Sequence, residues 1–414
     1  MLTKRENDTS SSENSVGHRT FFSFSSKKLF NIQLLEEAQG RRCWGSPYGW
    51  LVTMGLDRNI HLLNPLSKIQ LSLPSQRTFP RDLQDGFRKP ETLCQVFLHK
   101  FALSSNPSFS NQSCVVMTIY GGINRVAFAA PGDEAWTPVK RSPLGNAADI
   151  ISFNGHFYAV NAYGYLSICE LSTKTPHTID IAPPPFDVEC TSMYKFYLME
   201  ISGVLHLIVR NLDADDPDGC PDYFYDSEST DDFEFDDNAS TENFDSNDNA
   251  STDDIDSDDN SSTDGLDSDD NASNDDFETG NNASTEEFEV DDNAPINDLE
   301  VDDILSIGDF HYYTVGFKVY KFDFQKKIWS DAPGLADHAL FVGTNTSFSI
   351  STSTYPKFKA NCIYFTDDHS EQYHKRFCDM GVYNYGTNLM EEPLYSSDDI
   401  LSKFSRPSFF MPSL

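Results

Sequence analysis

The sequence predicts an all-β protein, and a β-propeller of about five to seven blades is the architecture that fits it best. Three observations point there. Apolar and polar residues alternate in short runs, as in Ile69-Gln70-Leu71-Ser72-Leu73, which is the period of a half-buried strand. Turn signals return about every eight to twelve residues, and helix-period segments are few. Strand-turn-strand units recur roughly every 40 to 50 residues, the spacing of four-stranded blades.

Residues 1–20 are polar and Ser-rich, without apolar period, and read as a disordered leader. Order is predicted from Phe21, where FFSFSSKKLFNIQL reads as a hairpin around Ser25-Ser26-Lys27-Lys28. The stretch Cys43 to Pro74 reads as three strands. Leu56-Asp57-Arg58-Asn59 and Asn64-Pro65 are its turns, the proline pre-setting its own backbone. Trp50, Leu62 and Leu71 are the expected blade core. A second unit runs from Cys114 to Val139 around Gly121-Gly122. The third, DIISFNGHFYAVNAYGYLSICEL, turns at Asn154-Gly155, which favours positive φ, and again at Ala162-Tyr163-Gly164. A fourth begins with KFYLMEISGVLHLIVR and resumes, after a long interruption, with TVGFKVYKFDFQKKIWSDAP. Strands are also predicted in ALFVGTNTSFSI, NCIYFTDD and MGVYNYGTNLMEEPLY. The domain plan is thus a leader at 1–20, propeller at 21–210, an acidic insertion at 211–310 and propeller again at 311–414.

The insertion is an eleven-residue repeat, with Asn238, Asn249, Asn260, Asn271, Asn282 and Asn293 equally spaced and one apolar residue per period. An eleven-residue period can mark a right-handed coiled coil, but one apolar side chain among several like charges cannot form its seam, so disorder is expected. Apolar halves of one blade flank it, which predicts an insertion in a loop projecting from a face of the disc.

The insertion also accounts for the charge. The chain has 65 acids and 30 Lys or Arg, but 36 of the acids and none of the bases lie between Asn211 and Ile304. The other 29 acids balance the bases, so no general basic surface exists for nucleic acid and the acidic block would repel it. The eight cysteines are at least sixteen residues apart, which argues against zinc spacing and for buried, reduced thiols. With no apolar run long enough for a membrane span and no signal-peptide core, the expected location is cytoplasm or nucleus.

Few motifs carry chemistry. No dinucleotide fingerprint, phosphate loop, HExxH or nucleophile elbow occurs. Asp367, Asp368, His369 and His374 have metal-ligand types but weak spacing, and read as a solvated turn. Asp213 to Gly219 imitates a calcium loop but ends on Tyr225 where a Glu is needed. Trp44 and Trp50 beside Gly45 and Gly49 read as blade packing. Ser251, Ser261, Ser273 and Ser284 have an acid three residues on and are candidate phosphorylation sites; the Asn-x-Ser sequons there are products of duplication. No catalytic, cofactor-binding or metal residue, and no cofactor, is predicted.

The wording of CWGSPYGWLVTMGLDRNIHLLNPLSKIQLSLP, TVGFKVYKFDFQKKIWSD, ALFVGTNTSFSIS, KANCIYFTDD, DMGVYNY and a terminal FFMPSL resembles the plant DUF295, or KIB1-4 β-propeller, family from Phe21 to Leu414 outside the acidic insertion. The resemblance implies a propeller that recruits a protein substrate, commonly behind an N-terminal F-box that docks on the Skp1 adaptor of a cullin ubiquitin ligase. Only about twenty polar residues precede the first strand here, without the apolar helix an F-box needs, so a member lacking the F-box is expected and assembly with Skp1 and cullin is not. The leading expectation is a non-enzymatic protein-interaction module. The alternatives are binding of basic partners by the acidic insertion, and an enzyme using Asp367 to His374 in a propeller-face pocket.

Overall fold

In the computed structural model, strands of about four to six residues dominate, as the turn spacing requires. The structure describes residues 18–24, 26–33, 41–80, 89–107, 114–140, 146–188, 193–215, 311–368, 379–391 and 407–412. An N-terminal hairpin pairs β1 (His18–Ser23) with β2 (Lys28–Gln33). Blade I is β3 (Arg42–Gly45), β4 (Leu51–Met54), β5 (Ile60–Asn64) and β6 (Ile69–Leu73). A short helix, α1 (Pro90–Val96), with proline in its first turn, leads into blade II. That blade comprises β7 (Leu98–Leu103), β8 (Val116–Tyr120), β9 (Arg125–Ala129) and β10 (Thr137–Val139). Blade III comprises β11 (Ala147–Phe153), β12 (His156–Asn161), β13 (Leu166–Glu170) and β14 (His177–Ala182). Blade IV comprises β15 (Tyr194–Ile201), β16 (Val204–Asp215), β17 (His311–Asp323) and β18 (Ile328–Asp331).

Each of these four blades is an antiparallel meander in chain order. The fifth departs from it. Its order is β20 (Phe348–Ser351), β19 (His338–Val342), β21 (Cys362–Phe365), β22 (Gly381–Asn384) and β23 (Leu389–Glu391), and β19 runs parallel to β21. The apolar run ALFVGTNTSFSI is therefore two strands, and β19 is an extra strand wedged between the innermost strand and the rest of the blade. The blade count, expected at about five to seven, is five.

The two sides of each strand serve two different interfaces. On β15, Phe196 and Leu198 pack toward blade III with Val160 and Leu166. Tyr197, Met199 and Ile201 pack toward blade V with Leu340 and Ile363. Period-two alternation on a strand covered on both faces thus makes the near-continuous apolar runs that the sequence shows. The same holds between blades I and II, through Trp44, Leu62 and Phe101, and between II and III, through Met117 and Phe157. Complete burial of a side chain such as Leu62 contributes about 1.5–3 kcal/mol.

Closure of the ring uses both chain ends. Phe24 of the N-terminal hairpin meets Phe341, Tyr364 and Phe409, and Phe21 meets Phe410. Gly45 N–H donates to Ser408 Oγ and Met411 N–H donates to the Ser46 carbonyl, which ties the C-terminal strip to blade I. A Cβ on Gly45 would sit 1.8 Å from the Phe409 carbonyl oxygen, so the approach requires glycine.

β16 and β17 pair up to Asp215 and His311, interrupted by a bulge between Asn211 and Leu212. The chain therefore leaves blade IV and returns to it through one hairpin. Ser251, Ser261, Ser273 and Ser284 lie outside the described residues, as do the eleven-residue repeats, His369 and His374.

Candidate functional site

Among the buried polar residues of the disc, two clusters hold blades together. The first lies where the inner strands converge. Lys100 Nζ on β7 is 2.9 Å from Asp149 Oδ1 on β11, with 6% and 0% of the side chains exposed. Asp149 Oδ2 also accepts the Leu198 N–H of β15 at 2.8 Å. Burial pushes the Asp149 carboxyl pKa up, and Lys100 and the N–H groups of Leu198 and Ile150 pull against that rise. The loop Gly343-Thr344-Asn345-Thr346-Ser347, buried throughout, folds into the same place. Ser347 Oγ contacts both Lys100 and Asp149, Thr346 Oγ1 donates to the Phe101 carbonyl, and Thr346 N–H donates to the Gly45 carbonyl. All five blades thus meet in one hydrogen-bonded knot.

The second cluster joins blades IV and V around Arg210, whose side chain is fully buried. Its Nε donates to Thr314 Oγ1 at 2.7 Å, one terminal nitrogen to the Thr366 carbonyl and Asp368, and the other to the carbonyl and carboxylate of Asp379. Burial works against the guanidinium charge, but Tyr197, Asp379 and Asp368 hold its pKa above the ordinary value. Tyr197 donates to Asp368, and its own pKa is pushed well up by burial and then by that carboxylate. Tyr312 donates to Asp367, which is 3% exposed.

Asp367 and Asp368 sit in a buried blade-to-blade lock, not in the solvated turn that their spacing suggested. The turn reading fails because partners far away in sequence engage them, Arg210 with Asp368 and Tyr312 with Asp367. Asp213 lies on a strand and accepts from the Tyr313 hydroxyl, so the start of the calcium-loop imitation, Asp213 to Asp215, is part of a β-ladder, and its remainder lies outside the described residues. Trp44 and Trp50 are blade core, their indole N–H groups donating to the His99 carbonyl and to Asn106 Oδ1. Among the described residues, no group of three or more His, Cys, Asp or Glu is arranged to hold a metal ion.

Exposed aromatics lie at both ends of the disc, Phe324 and Tyr355 at one and a second set at the other. In an antiparallel meander, the loop between a blade's second and third strands lies at the same end as the crossing from its fourth strand to the next blade. That end carries the turns at 55–59, 121–124 and 162–165, the β16–β17 opening, and the crossing from β14 to β15. The turns are fixed by local chemistry: Asp57 accepts from Asn59 N–H and Arg41, and Asn161 Oδ1 accepts from Tyr163 and Tyr165 N–H. The aromatics exposed there include Tyr163, Phe186 and Tyr313. Sequence reading missed Phe186, for which Pro183-Pro184-Pro185 was the available signal.

A family profile described as KIB1-4 beta-propeller matches residues 21–255 and 282–384. The chain belongs to the KIB1-4 β-propeller family. Curated relatives are Arabidopsis thaliana proteins. "Putative F-box protein At5g55150" is 30% identical over 177 residues, which is 42% of this chain and 45% of that protein. "Putative F-box protein At1g65770" is 44% identical over 55 residues, 13% of this chain and 15% of that protein. The matches thus span less than half the length of these relatives. Within the KIB1-4 family fold, a propeller with a loop-built face fits the role of a protein-interaction module. No helix among the described residues is long and apolar enough to cross a membrane.

Proposed function

We propose that this chain is a non-enzymatic protein-interaction module, whose propeller receives a protein substrate on the loop face as the substrate-recognition propeller of an F-box ubiquitin ligase does. The observation that carries the reading is the contrast between the inside and that face. Inside, Arg210, Asp368, Asp379, Lys100 and Asp149 are engaged with one another. Outside, the loop face offers aromatic side chains on turns held by backbone and carboxylate hydrogen bonds. Aromatic groups on a rigid frame bind proteins at low entropic cost, whereas catalysis needs convergent polar groups with a free position for substrate.

The test is affinity purification of the full chain from plant cells with mass spectrometry, followed by reconstitution of the recovered protein with purified chain. A specific partner that forms a stable complex is the expected result. Recovery of Skp1 and cullin beside it would assign the chain to a ubiquitin ligase; a partner without them fits a propeller acting outside ubiquitination. Absence of any specific partner, with turnover of a small molecule lost on mutation of the loop face, would overturn the reading.

A further inference from the structure

We propose that Phe186 is the anchor of a docking surface for a basic protein, its ring entering an apolar socket on that partner. This rests on the interaction-module reading and supplies its site and the chemistry of its partner.

Phe186 is 100% exposed. Leaving a phenyl ring in water forgoes the hydrophobic free energy that burial would return. The backbone of its turn is fixed on both sides. Pro183, Pro184 and Pro185 fix three successive φ angles ahead of it. The Val188 N–H donates to the Pro185 carbonyl at 3.1 Å, which closes a tight turn with Phe186 at its second position. Val188 is buried in the core between blades III and IV. Asp187 accepts from the Tyr320 hydroxyl at 2.9 Å and from Lys318 Nζ at 2.9 Å, which clamps the other side of the turn to β17. Pro184 lies against Gly164, where a Cβ would meet Pro184 Cβ at 2.9 Å. The ring is thus presented on a turn tied to both neighbouring elements, and a partner need not order the backbone that carries it.

The contacts of this turn also locate its surroundings. Gly164 adjoins Tyr163, which is 46% exposed. On β17, Tyr312 and Thr314 turn toward blade V to reach Asp367 and Asp379, so Tyr313 takes the opposite side, toward the Phe186 turn. Tyr313 is 44% and the bulge residue Val315 49% exposed. An aromatic anchor with a partly apolar surround is the composition of an interface hot spot.

Charge selects the occupant. The chain leaves β16 at Asp215 and returns at His311 at this same end, and by sequence the span from Asn211 to Ile304 has 36 acids and no Lys or Arg. A tethered block of that charge raises the local concentration of basic proteins and speeds their encounter. A second copy of this chain, with formal net charge -35, is repelled.

The test replaces Phe186 in the full chain with the photo-reactive analogue p-benzoylphenylalanine, with the same analogue at Leu389, exposed on the outer strand of blade V, as control. The protein cross-linked in plant cells from position 186 and not from 389 is then purified, and its affinity is measured for wild type, Phe186→Ser and Leu389→Ser at two salt concentrations. The expected result is a basic protein whose binding falls by about 30-fold or more in Phe186→Ser. Binding stays near wild type in Leu389→Ser and weakens as salt rises from about 0.05 to about 0.3 M. Phe186→Ser keeps the wild-type melting temperature, because the ring makes no internal contact. No cross-link from position 186, an acidic partner, or a partner bound equally by Phe186→Ser would overturn the proposal. In the last case the interaction-module reading stands and only the site falls; if affinity purification also yields no partner, both fall.

Discussion

Lys100 on blade II and Asp149 on blade III form an ion pair of 2.9 Å at the point where all five blades converge, and Ser347 of blade V contacts both. Removing one partner of such a pair leaves a buried charge without compensation. Lys100→Met and Asp149→Asn are each expected to cost about 3–5 kcal/mol in urea unfolding, and the Lys100→Met/Asp149→Leu double variant less than the sum. Single variants that lose under about 1 kcal/mol would assign the pair the weight of a surface bridge.

Ring closure is tested at Gly45. Gly45→Ala forces a methyl group onto the Phe409 carbonyl and is expected to destabilise by about 1–3 kcal/mol, with the C-terminal strip becoming accessible to protease. Gly334→Ala, whose new methyl would meet nothing closer than Asn361 Oδ1 at 3.8 Å, is the control and should change stability by under about 0.5 kcal/mol. Equal effects of the two would refute the wedge.

His206 makes stability depend on pH. Burial lowers its pKa below the ordinary value near 6.5, the Val204 carbonyl opposes this, and the charges of Lys321 and His338 lower it further. The unfolded chain therefore binds the proton more readily, and the contribution is complete above about pH 6.5 and is lost as pH falls from there through the lower folded value. Between pH 7.5 and 5.5 the wild type should lose more melting temperature than His206→Gln. The same loss in both would show that the imidazole is not responsible.

The described thiols are predicted to be inert. Burial, helped by Glu170, pushes Cys169 up to about 12, and burial with Glu391 takes Cys362 to about 11. Burial also raises Cys43, Cys94 and Cys114. The thiolate is the nucleophile, so iodoacetamide at pH 8 should label these five only in denaturant, as read by peptide mass spectrometry. Rapid labelling of Cys169 in the folded chain would contradict its burial.

Much of the fold was legible because it is local. Asn154-Gly155 turns with both residues at positive φ, and Trp50, Leu62 and Leu71 fall on the predicted blade-I core or its edge. What stayed hidden depends on partners distant in sequence. Nothing in the run around Phe341 and Phe348 says that its polar centre, Thr344 to Ser347, plugs the middle of the disc. Nothing beside Asp367 and Asp368 announces Arg210, so exposed metal-like carboxylates and a buried ion-pair lock look alike in sequence. Phe186 was missed for the opposite reason, since the three prolines signal a turn but an apolar residue after them reads as core until its exposure is seen.

The most direct test of the central claim, that function resides on the loop face, is hydrogen exchange of the full chain alone and bound to its reconstituted partner. The account predicts protection concentrated at 162–165, 183–188, 212–215 and 311–315, with the turns at the other end of the disc, 154–155, 324–327 and 352–361, unchanged. Protection confined to those opposite turns, or spread evenly over both ends, would contradict it.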